Sequence, residues 1–197
     1  MLPVFTMTFA RQSGRKPAKP RAFLGESALY GHAVKALGRR MRTESELRRL
    51  LAARAEPGAI GQADLDAVVA RLKQNGYLND QSYAETYARL RQENEKLGRR
   101  RVQQDLRQKG LPAGLIDETL DARYGQTNEE ALARQFLGRK RLRKPANDKE
   151  TARIMRRLVA AGFSTGVIYK ILRQWEVPDE SLAALDNLSD DPSSPES

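Results

Sequence analysis

The sequence predicts an all-α protein made of three tandem three-helix repeats in an elongated array. Three observations predict it. Apolar residues recur three and four positions apart throughout the centre of the chain, and no stretch of convincing length alternates as a strand would. A helix–glycine–helix pattern recurs at a fixed offset of 52 residues. A further helical segment precedes each copy, and internal repetition at that period indicates an array of units that bury their faces on one another.

The clearest copy is "VQQDLRQKGLPAGLIDETL", Val102 to Leu120. Its twin is "IMRRLVAAGFSTGVIYKIL", Ile154 to Leu172. The offset maps Val102 onto Ile154, Leu106 onto Leu158, Gly110 onto Gly162, Leu111 onto Phe163, Ile116 onto Ile168 and Leu120 onto Leu172. Gly110 and Gly162 sit where a helix ends in a left-handed residue, a conformation that glycine adopts at little cost. A weaker copy lies upstream. Leu47 and Leu51 match at an offset of 55, and Leu65 and Val69 at 51, so the loop "AEPGAIGQ" carries a four-residue insertion. Ala55 stands there in place of the turn glycine, which requires a differently built turn.

The leading helices are "ESALYGHAVKALGRR", "DQSYAETYARLRQEN" and "NEEALARQFLGRKRLRK". Tyr30, Ala33 and Leu37 share a face of the first, Tyr83, Tyr87 and Leu90 of the second, and Leu132, Phe136 and Leu137 of the third. Thr43 with Glu46 reads as a capping box, and Asn128 with Ala131 as a helix start. The expected organisation is a basic disordered tail (1–25), repeats over 26–80, 81–126 and 127–177, and an acidic, serine-rich disordered tail (178–197).

The net charge of +10 and pI near 10.1 favour an anionic partner, nucleic acid being the commonest. Residues 126–178 hold twelve bases and five acids, a net +7, whereas residues 179–197 hold six acids and no base. Cysteine is absent, which excludes disulfides and thiolate metal sites and suits a reducing cytoplasm. No apolar run is long enough to span a membrane. The opening residues place apolar positions before basic ones, the wrong order for a secretory leader.

Three stretches carry a family resemblance: "YLNDQSYAETYARLRQE" from Tyr77, "KLGRRRVQQDLRQKGL" from Lys96 and "DKETARIMRRLVAAGFSTGVIYKIL" from Asp148. With Gly98, Arg101, Val102, Lys109, Gly110, Gly162, Phe163 and Ser164 at the matching places, the chain resembles the RecX regulatory family over roughly residues 26–175. It departs in the longer first-repeat loop and in both tails. The resemblance implies a non-enzymatic modulator with a curved helical body. Such a protein binds the RecA recombinase filament on single-stranded DNA and mainly inhibits its ATPase, strand-exchange and coprotease activities. The implied partners are RecA and single-stranded DNA, with double-stranded DNA as a second nucleic acid, no membrane and no cofactor. A monomer is the working expectation.

The candidate contact residues are the basic clusters. They are Arg99, Arg100, Arg101, Arg107 and Lys109; then Arg139, Lys140, Arg141, Arg143 and Lys144; then Arg153, Arg156 and Arg157. Arginine forks suit phosphates or the carboxylates of a protein partner. The competing expectation for each is a solvated helix face with internal pairing, such as Arg101 with Asp105. The other function class in play is a module that reads DNA directly with its helix pairs. His32 is the single histidine, so a histidine-based catalytic or metal set is unsupported, and no phosphate-binding loop is present. "GAIG" at 58–61 resembles the backbone-clamping loop of KH domains but lacks their strands. Asp117, Glu118 and Asp121 read as a soluble acidic face, and Tyr83, Tyr87, Phe136, Phe163 and Trp175 fit a core better than a base-stacking platform.

Overall fold

A computed structural model describes residues 23–178. The expected tails 1–25 and 178–197 therefore fall almost wholly outside the described residues. Nine helices and no strand occur among the described residues: α1 (Glu26–Leu37), α2 (Glu44–Ala52), α3 (Ala59–Gln74), α4 (Asp80–Glu95), α5 (Arg99–Gln108), α6 (Ala113–Tyr124), α7 (Glu129–Arg139), α8 (Asp148–Ala160) and α9 (Thr165–Gln174). The protein is an all-α array of helix triplets. Two apolar clusters hold it together. One joins α1, α2 and α3 through Leu29, Ala33, Leu47, Leu51, Leu65, Val68 and Leu72. The other runs continuously through α4 to α9 and includes Val102, Leu106, Ile116, Leu120, Ile154, Leu158, Ile168 and Leu172.

All ten apolar residues matched at the 52-residue offset are buried. Gly110 and Gly162 hold φ of 78° and 88°, and each lets the helix before it close with paired backbone bonds. Leu111 donates to the Leu106 carbonyl and Phe163 to the Leu158 carbonyl, at 3.3 and 3.2 Å. In the first triplet Ala55 donates instead to the Leu51 carbonyl, and the positive φ moves to Gly58, just before α3.

Several local expectations shift. Leu90 is exposed; Ala84 and Ala88 join Tyr83 on the buried face of α4, because two alanines let this helix lie close against α6. On α1 the buried stripe is Leu29, Ala33 and Ala36, with Tyr30 at its edge beneath the Arg71 guanidinium, 4.4 Å from the ring centre. The Thr43 side chain accepts from the Glu46 backbone as a cap should, but the Glu46 carboxylate turns away to Lys109. The third leading helix stops at Arg139, so Arg141 to Lys144 lie in a loop.

The triplets are joined by one repeated contact. The turn between the second and third helices offers a backbone carbonyl, which an upstream group caps. The Thr43 hydroxyl donates to Lys109 O at 2.7 Å, and Gly98 N donates to Ala161 O at 2.8 Å. The offsets of 55 and 52 make Thr43 equivalent to Gly98, and Lys109 to Ala161. In the first triplet the equivalent carbonyl, Arg54 O, is capped by Leu24 N at 2.9 Å.

Candidate functional site

The joint between α5 and the α8–α9 turn builds a cationic concavity. A Cβ on Gly98 would lie 2.4 Å from the Gly162 carbonyl oxygen, and one on Gly162 would lie 2.2 Å from the Arg101 nitrogen. Two glycines at this crossing therefore let the backbones meet. That contact brings the start of α5 beside the end of α8, and a groove of about 410 Å³ opens between them and the end of α7. Its floor is Leu97, Phe136, Ala160 and Ala161. Its rim carries Arg101, Lys140 and Arg157 against one acid, Glu95. Each of the three basic clusters thus sends one cation into the same groove.

The rim charges are largely unspent. Glu95 is already paired with Arg91 on its own helix, and Arg101 is held by Asp105 at 3.0 Å, the pairing expected from their spacing. The Lys140 ammonium stands 5.8 Å from the Phe136 ring centre. Arg157 is exposed and forms no ion pair among the described residues. Around the groove, Arg139, Arg141 and Arg143 are exposed, as are Arg153 and Arg156. Arg153 and Arg157 lie four apart on one face of α8.

Two features run against fold stability. Arg99, Arg100 and Arg101 fill the first turn of α5, where the positive end of the helix dipole disfavours cations. Arg141 holds φ of 53°, a left-handed position that glycine would fill at less cost. Lys96 and Glu176 share that left-handed backbone at φ of 59° and 58°, so it marks helix ends whatever their charge.

The remaining candidates are less available. Arg99 is paired with Asp121, and Lys144 with Glu176. Arg100 lies in a second groove beside Glu129 and Ser164, and Arg107 is exposed two turns along α5. Lys109 is committed to the joint between α2 and α5, 3.2 Å from the Glu46 carboxylate and over the rings of Tyr83 and Tyr87. Burial would lower the Lys109 ammonium, but bonds to Tyr83 and Glu46 outweigh it and hold its pKa above the usual lysine value. The groove floor was not legible as a site. Phe136 reads as core, and the Ala160–Ala161 pair is significant only because α5 crosses there.

Among the described residues no helix is long and apolar enough to cross a membrane. The fold and the groove define a helical-repeat protein whose distinctive surface is cationic and built at a joint between repeats. The model of the second three-helix domain of RecX matches residues 79–120. A regulatory protein RecX of Leptothrix cholodnii is 35% identical over 146 residues, covering 74% of this chain and 88% of the relative. One of Deinococcus radiodurans is 32% identical over 166 residues, covering 81% and 74%. The crystal structure of RecX from Lactobacillus salivarius shares the fold, with a TM-score of 0.59 at 21% identity over 77% of this chain and 96% of that one. The chain belongs to the RecX family of regulatory proteins.

Proposed function

We propose that this protein binds the RecA–single-stranded DNA filament and restrains RecA's ATPase, strand-exchange and coprotease activities, acting by binding rather than by catalysis. The partner and the sense of the effect come from the family resemblance. The observation that carries the site is the groove in which Arg101, Lys140 and Arg157 converge from three separate basic clusters. Its apolar floor and cationic rim suit a chain that presents anions beside flat or apolar groups, as single-stranded DNA and acidic protein surfaces both do.

The direct DNA-reading alternative is less well supported. In such a module the third helix of a triplet would enter the major groove. In the second triplet that helix is α6, which carries Asp117, Glu118 and Asp121 towards solvent or into pairs with Gln103 and Arg99. In that triplet an acidic reading helix would repel the phosphates, whereas α9, its counterpart in the third triplet, carries Lys170 and Arg173 and no acid.

One variant separates the sources of binding. Arg139, Lys140, Arg141, Arg143 and Lys144 are all changed to Gln, and affinity is measured against salt for bare single-stranded DNA and for the RecA filament. If these residues neutralise phosphates, the log–log salt slope for DNA falls in magnitude by roughly 3.5, at about 0.7 per contact. If they meet RecA carboxylates, DNA affinity survives and filament affinity falls. Unchanged binding to both would remove this cluster from the interface.

A further inference from the structure

We infer that the acidic segment 179–197 of this chain is an internal ligand for the basic groove and competes there with the external anionic partner. The inference rests on the groove being the working surface proposed above. Three observations lead to it. The groove combines an apolar floor of Leu97, Phe136, Ala160 and Ala161 with the cations Arg101, Lys140 and Arg157. The segment has the complementary composition: Leu182, Leu185 and Leu188 are spaced three apart among Asp179, Glu180, Asp186, Asp190 and Asp191. It carries six acids and no base, against the +7 of residues 126–178.

The third observation is position. The described chain leaves α9 beside the basic loop, where the Glu176 carboxylate pairs with the Lys144 ammonium at 2.5 Å. That pair holds the Glu176 carboxyl below the usual carboxylate range. Lys144 is four residues from Lys140 on the groove rim, so their Cα atoms are at most about 15 Å apart. From Glu176 to Leu185 the chain spans up to roughly 30 Å when extended. The segment is therefore long enough to reach the groove. Oppositely charged stretches joined by a short tether meet at a high effective concentration, and salt screens their attraction.

The absence of cysteine allows a direct test on the full chain. A nitroxide placed through Ser194→Cys should broaden amide NMR signals around Lys140 and Ala160, and leave those of α1 and α3 sharp. Neutralising the segment (D179N, E180Q, D186N, D190N, D191N, E196Q) in the labelled chain should abolish the broadening. The same neutralised chain without the label should bind a single-stranded oligonucleotide roughly tenfold more tightly at low salt, with the difference closing towards ~1 M salt as the Debye length shrinks to about 3 Å. No selective broadening at the groove would overturn the inference, whatever the DNA result. Groove broadening with equal DNA affinities for both chains would overturn the competition. If neither chain binds DNA or the filament, the proposed function fails, while the broadening still decides whether the segment occupies the groove.

Discussion

The Thr43 hydroxyl donates to the Lys109 carbonyl at 2.7 Å, across 66 residues of sequence. Gly98 and Ala161 repeat that relationship one triplet further on, with a backbone donor in place of the hydroxyl. Each bond satisfies a carbonyl that a helix end would otherwise leave without a partner. The same joint places one triplet on the next, and at the second joint it forms the basic groove. Fold and candidate site therefore share a single device.

Thr43 is fully buried and holds two backbone groups at once, accepting from Glu46 N and donating to Lys109 O. Thr43→Val keeps the shape but orphans both. It should cost about 2 kcal/mol. Thr43→Ser should recover most of that loss. Urea denaturation of the three proteins checks the order.

The two turn glycines should differ in tolerance. Gly162→Ala places a methyl against the backbone of Arg101, at a position with φ of 88°. A cost of about 3 kcal/mol is expected. Gly110→Ala meets the side chain of Ser45, which can turn aside, so about 1–2 kcal/mol is expected. Equal costs would mean that the joint at Gly162 is looser than described.

Acid should weaken the packing of α2 on α3 within the first triplet. Burial alone would raise the Glu44 carboxyl, but hydrogen bonds from Lys73 and Arg48 outweigh it and hold it below its ordinary value of 4.5. A depressed folded-state pKa means that the stabilisation is complete above about pH 4.5 and is lost as pH falls through the lower, folded-state value. Glu44→Gln should therefore cost roughly 1 kcal/mol at pH 7. The gap between wild type and variant should narrow as pH is lowered through that window, as followed by thermal melts across pH. A gap that stays constant with pH would show that the pairs contribute nothing.

Much of the fold was legible in the chain. The spacing of Val102, Leu106, Ile116 and Leu120, and its return at 154–172, reflects a helix period that packing enforces on every copy. Gly110 and Gly162 were legible because left-handed backbone selects glycine. Leu90 was misplaced because two alanines on α4, apolar but small, set the approach to α6. The groove was legible only as separate basic clusters. Arg101, Lys140 and Arg157 meet through the Gly98–Ala161 contact, which is long-range and leaves no local signal. Arg141 could not be distinguished from its neighbours, since nothing in "GRKRLRK" marks the residue with a positive φ.

That residue offers a test in which stability and binding move in opposite directions. Arg141→Gly relieves the left-handed position and should stabilise the fold by about 1 kcal/mol. It removes one exposed cation beside the groove, so filament affinity should fall. Calorimetry and filament binding on the same preparation give both readings, and a gain in stability with no loss of binding would make Arg141 a solvated residue.

RecA's hydrolysis of ATP on single-stranded DNA tests most directly whether the groove restrains RecA. Wild-type protein at low molar ratio should slow hydrolysis. The triple variant R101Q/K140Q/R157Q should lose most of that effect while melting within roughly 1 kcal/mol of wild type, since its side chains are mainly solvent-facing. Hydrolysis slowed equally by both proteins would contradict the placement of the site, and hydrolysis unchanged by an excess of wild type would contradict the proposed function itself.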